Sequence, residues 1–190
     1  MTQETPQVEP ASTPEPKAGQ QLSNAWKSLS KNARIAIVVV SVFLVILLSS
    51  AGNSNSPSST TVTIDTTPTT ISVSDQYIAW KDEFVPVISQ MQAHYTQTQA
   101  DLNNADLAAS TQDFATLAQD ATNIASLAHS PDANINRGVL DLAASIQEVA
   151  SSGLSALSSN DLTSFYAALE HYGRATTQLT DYINTANSIY

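Results

Sequence analysis

The sequence predicts an all-α protein: a single N-terminal transmembrane helix followed by an extracytoplasmic antiparallel four-helix bundle. Three observations carry this. Residues 35–52 form an uncharged, mostly apolar run; residues 76–190 repeat apolar side chains at threes and fours; and that repeat occurs twice at a constant offset. Of the 190 residues, many are unsuited to a core, so one compact domain of ordinary size is expected.

The run begins IAIVVVSVFLVILL and ends Ser49-Ser50-Ala51-Gly52. At about 1.5 Å per residue it spans roughly 27 Å, close to the thickness of a bilayer's hydrocarbon core. A buried core helix or strand is the competing reading, but β-branched residues occupy every face and nothing nearby could cover them. Lys27, Lys31 and Arg34 precede the run, whereas the next cation after it is Lys81. The positive-inside rule therefore places residues 1–34 in the cytoplasm and the long remainder outside the cell membrane. Leu22, Ala25, Trp26, Leu29 and Ala33 recur at helical spacing among these cations, which suits either a short interfacial helix or a disordered basic collar. The small residues at 49–51 also resemble a signal-peptide cleavage site, so a secreted bundle released near Ala51 is the alternative.

Two stretches lack the means to build a core. Residues 1–21 are Pro, Glu, Gln, Thr and Ser with little to bury, and disorder is expected there. Residues 53–75 are rich in Ser, Thr and Pro and form an expected stalk, about 25 to 30 Å long as a flexible coil, that lifts the next domain off the lipid. Its hydroxyls are candidates for O-linked sugars, while the chain has no Asn-X-Ser/Thr sequon without proline.

In residues 76–190 four segments share one spacing. Trp80, Phe84, Val87, Met91, Tyr95, Thr98 and Leu102 mark the first, and Leu107, Ser110, Phe114, Leu117, Ala121, Ile124 and Ala128 the second. Adding 55 to each number produces Ile135 to Leu157 and then Leu162 to Ile183 without a gap. Two copies of one helical hairpin are inferred, with coincidence of two heptad patterns as the alternative. Asp106 and Asp161 stand at helix starts after polar breaks. Ser130-Pro131-Asp132 is expected to supply an N-cap, a first-turn proline and a favourable acid. Pro86 should kink the first helix. Ala121, Ala128, Ala150 and Gly153 should permit close helix approach, with Trp80, Phe84, Phe114 and Phe165 filling wider layers.

Charge narrows the partners. Residues 76–190 hold three cations against twelve acids, a balance of −9. Such a domain repels phosphate backbones and anionic lipid, so no nucleic acid is expected. The absence of cysteine removes disulfides, thiolate metal sites and thiol nucleophiles.

Catalytic and cofactor motifs are not found: there is no Gly-x-Ser-x-Gly, no Ser-x-x-Lys and no Gly-rich phosphate loop. His94 and His171 are the weak candidates for a metal site, since an antiparallel bundle sets them at similar heights. His171 precedes the core position Tyr172 and should point outward. His129 should end its helix. Asp101, Asp106, Asp113, Asp120, Asp141, Asp161 and Asp181 fall off the apolar seam and are expected on a solvated face. Tyr166, Tyr172, Tyr182, Tyr190 and Trp80 suit core packing, or a ligand groove near Pro86. The expected function is a membrane-anchored, non-enzymatic binding or structural module of the cell envelope, touching a protein, a wall polymer or a small ligand. An extracytoplasmic enzyme or metal-dependent protein is the alternative, to be revived by a buried His94 beside a carboxylate.

Overall fold

The computed structural model describes residues 71–159 and 162–190. Among them are four helices and no strand: α1 (Val73–Asn103), α2 (Leu107–Ala125), α3 (Ala133–Ser159) and α4 (Leu162–Asn187). None of these helices is long and apolar enough to cross a membrane. The apolar run at 35–52 and the segments expected to form a tail before it and, up to residue 70, a stalk after it lie outside the described residues.

Local chemistry explains where each helix starts. Ser72 caps α1 by accepting from the Asp75 amide at 3.1 Å, and its hydroxyl donates to the Asp75 carboxylate at 2.7 Å. The helix thus begins three residues before the bound at 76 drawn from composition. It then runs unbroken through Pro86, which sits on the exposed face. Asp106 caps α2 through the Ala109 amide. Asp132, not Ser130, caps α3: its Oδ1 accepts from the amides of Asn134 and Ile135, so Pro131 precedes the cap instead of opening the helix. Ser130 instead steadies the turn by accepting from the Asp132 amide.

The α1–α2 connection is a Schellman turn. The Asp106 amide bonds the Asp101 carbonyl and the Ala105 amide bonds the Leu102 carbonyl. Ala105 therefore takes a left-handed φ of 56°, in the position glycine favours. The α2–α3 connection differs from expectation, because α2 ends at Ala125 and His129 lies beyond it in the loop. Pro131 has no amide to continue the helix onto the Leu127 carbonyl, which instead accepts the Trp80 indole N–H at 2.8 Å, and Leu127 itself is buried.

Contacts along the chain fix the directions. Ser74 reaches Tyr190, Tyr77 reaches Asn187 and Tyr95 stacks on Tyr172, so α1 and α4 run antiparallel. His94 meets Asp120 and Trp80 meets Leu127, so α1 and α2 do too. Of the twenty-eight seam positions, twenty-three are buried, and the five others (Val87, Leu107, Ala128, Leu157 and Leu162) lie near helix ends or flanks. Each fully buried Leu, Ile or Phe contributes about 1.5–3 kcal/mol, which makes this seam the main source of stability.

Side-chain size sets the helix spacing. On α3 the additional buried positions include Gly138, Ala143, Ser145 and Ala156, small enough to let neighbouring backbones close in. A Cβ at Gly138 would already meet Tyr182 at 3.0 Å and Leu179 at 3.1 Å. Between α1 and α4 the space is filled by rings, with Tyr95 and Tyr172 centroids 5.3 Å apart and the Tyr172 hydroxyl 4.0 Å from Met91 sulfur. Trp80 stacks between Tyr77 and Phe84.

Candidate functional site

Each histidine singled out from the sequence is held by acids, on different helix pairs. His94 in α1 places Nδ1 2.7 Å from Oδ2 of Asp120 in α2; the imidazole is half-buried and the carboxylate is buried. His171 in α4 lies between two carboxylates of α3, with Nδ1 2.8 Å from Glu148 and Nε2 3.3 Å from Asp141. The two histidines therefore serve separate interfaces. Among the described residues no group of three or more His, Cys, Asp and Glu has the arrangement to hold a metal ion.

The α1–α2 flank is a ladder of polar rungs. His94 and Asp101 are seven residues apart on α1, as are Asp113 and Asp120 on α2, and seven residues return a helical side chain to nearly the same face. In an antiparallel pair this sets His94 opposite Asp120 and Asp101 opposite Asp113. Asp101 also accepts from the Gln97 amide at 2.8 Å. The Asp113 carboxyl is pushed up to about 6, first by burial and then by its neighbour Asp101, with His94 opposing. One oxygen of Asp113 is buried, and a proton on this carboxyl can be donated to Asp101 across the rung. Asp120 and Asp113 thus depart from the solvated face expected of them. Asp106 and Asp181 are exposed, and Asp161 lies outside the described residues.

On the α3–α4 flank, Glu148 raises the His171 imidazole above its ordinary value, opposed by burial and supported by Asp141. Beside it runs an open groove of about 520 Å³ lined by Ser151, Ser152, Ser164, Arg174, His171 and Glu148 among others. Hydroxyls, one guanidinium and one imidazole–carboxylate pair, alongside Ala167 and Ala168, give this groove a mixed lining able to exchange hydrogen bonds with a hydrophilic ligand. A shallower groove on the α2–α3 face has Ala121, Ala125, Ala143 and exposed Leu140 in its lining. Pro86 lines neither. Of the aromatic set, Trp80 and Tyr172 are core, Tyr166 and Tyr182 are partly buried and Tyr190 is exposed.

Two buried polar features had no sequence signal. Lys81 is buried, with Nζ 3.3 Å from Asn187 Oδ1 and 5.5 Å from the centre of the Tyr77 ring, and desolvation lowers its pKa. The hydroxyl of Tyr95 and the amide nitrogen of Gln99 lie buried beside a void of about 10 Å³. Burial raises the Tyr95 phenol far beyond physiological pH, so it offers a hydroxyl and not a phenolate. His129, exposed in the α2–α3 loop, pairs with Glu83 at 3.0 Å across solvent, a contact of little energetic weight.

The chain matches no protein-family model, no curated protein and no solved structure.

Proposed function

We propose that this chain is a single-pass membrane protein holding an antiparallel bundle of two helical hairpins outside the cell membrane, as a non-enzymatic binding or structural module of the envelope. Residues 1–34 are its cytoplasmic tail, 35–52 its anchor, and the Ser/Thr/Pro-rich stretch that follows its stalk. One observation carries the reading: an uncharged run of bilayer length has three cations immediately before it and none after it until Lys81. The serine-lined groove between α3 and α4 is the surface best suited to a hydrophilic partner, such as a wall polymer or a small polar ligand. Alkaline extraction of membranes, followed by intact-mass measurement of the protein retained, tests the anchor. Retention with residues 1–51 attached is expected; a soluble product starting at Gly52 would replace this reading with a secreted bundle.

A second reading, an extracytoplasmic acid–base or metal-dependent protein, takes its support from His94 beside buried Asp120 and from His171 between two carboxylates. Zinc titration followed by histidine NMR separates the two. Stoichiometric shifts of His94 or His171 at micromolar metal favour the second reading, and unmoved resonances favour the first.

A further inference from the structure

Seven large apolar side chains are exposed among the described residues, and five of them gather at one end of the bundle: Ile71, Val73, Ile78, Ile189 and Tyr190, each between 38% and 65% exposed. Their neighbourhood is fixed by contacts. The Ser74 hydroxyl donates to the main-chain oxygen of Tyr190 at 3.0 Å, and the Tyr77 and Tyr190 rings lie 5.1 Å apart. Ile71 belongs to the same corner, since its carbonyl accepts from Gln76. Scattered apolar residues on a surface need no explanation, but five of seven at one end of the bundle do.

This is also the end at which the chain arrives from the apolar run. Eighteen residues, 53–70, separate Gly52 from Ile71, and a stretch of that composition bridges roughly 25 Å as a coil. Tethering at that range holds the patch at millimolar effective concentration above the bilayer, so even weak partitioning suffices for contact. Aliphatic side chains with tyrosine are also the composition of a membrane interface. Charge selects the lipid. Asp75 stands in the patch and Asp132 caps α3 at the same end, within a domain whose balance is −9, so anionic headgroups are repelled.

We infer that the end of the bundle bearing Ile71, Val73, Ile78, Ile189 and Tyr190 rests on the zwitterionic headgroup surface of the bilayer, docking the domain upright instead of leaving it free on its stalk. This deepens the proposed function and rests on its anchored topology. One consequence is that the opposite end, around the Asn104 turn, is directed away from the membrane, while the serine-lined groove runs along the side of the docked domain.

The cysteine-free sequence permits a direct test. Single cysteines at Ile78→Cys, Ile189→Cys and Asn104→Cys, each in the full chain and labelled with an environment-sensitive fluorophore, are reconstituted one copy per nanodisc in phosphatidylcholine with or without brominated acyl chains. Co-elution with the discs reports the anchor separately. Docking predicts strong quenching at 78 and 189, at least threefold above that at 104, reduced when a third of the lipid is anionic. Ile189→Asp should lower quenching at 78 while circular dichroism stays unchanged. Co-elution with no difference between 78, 189 and 104 overturns docking and leaves the anchor standing. Failure to co-elute overturns both. Quenching that appears only with two or more copies per disc assigns the patch to a second copy of the chain and overturns docking on lipid.

Discussion

Gly153 and Gly173 are mid-helix glycines with opposite surroundings, and replacing each by alanine should move stability in opposite directions. A Cβ on Gly153 would be driven into the ring of Phe114, with Cδ1 only 2.7 Å away and two further ring atoms closer still. The ring cannot retreat, because Phe114 is fully buried and packs edge-on against Phe165 at 5.9 Å. Overpacking of this kind costs about 1–3 kcal/mol, against which alanine recovers about 1 kcal/mol of helix propensity. At Gly173 nothing lies within 4 Å of the added carbon, so only the propensity gain remains. Gly153→Ala should therefore destabilise by up to about 2 kcal/mol and Gly173→Ala stabilise by about 0.5–1 kcal/mol, a separation equal to the overpacking cost of about 1–3 kcal/mol. Urea unfolding of the full chain in detergent, followed by the helical signal, reads both. Phe114→Leu should relieve part of the Gly153→Ala penalty in a double-mutant cycle. Equal effects at the two glycines, or a stabilised Gly153→Ala, would refute the close approach of α2 and α3.

Three further expectations follow from single sites. The His171 imidazole is raised in the folded state, so its ion pairs stabilise fully below the unfolded pKa of about 6.5 and fade as pH rises through the folded value. His171→Gln should flatten that fall in the urea midpoint as pH rises above roughly 6.5. Asp113 is also raised, to about 6, so the fold loses stability as pH climbs from about 4 through 6 and this carboxyl is forced to ionise. Asp113→Asn should then match the parent near pH 4 and exceed it at pH 7.5, and a loss at pH 7.5 would contradict the Asp101–Asp113 rung. Ala105→Gly should raise stability by about 1 kcal/mol, since glycine takes the left-handed conformation without the cost that Ala105 bears.

The seam of the helices was legible because burial on an α-helix follows a period that side-chain polarity reports directly. Asp106 was legible as a cap for the same local reason, a short acceptor preceding an apolar run. The flanks were not. Asp120 and Lys81 adjoin seam residues, and each helix here packs against two neighbours, so positions beside the seam become buried although their polarity argues for solvent. Pairing His94 with Asp120 requires the register of α1 against α2, which no local pattern contains. Beyond the end of α2 the Leu127 carbonyl takes the indole N–H of Trp80, nearly fifty residues upstream, a partner that no local pattern names. In α1 the spacing favoured Val87, whereas Ile88 is fully buried and Val87 only partly so, consistent with a helix facing two partners at once.

The sidedness of the chain can be read by labelling single cysteines with a membrane-impermeant maleimide on intact cells. Asn104→Cys lies at the exposed α1–α2 turn and Ser12→Cys precedes the apolar run. With the bundle outside the membrane, position 104 labels on intact cells and position 12 only after lysis. Labelling of position 12 on intact cells, or protection of position 104, would contradict it.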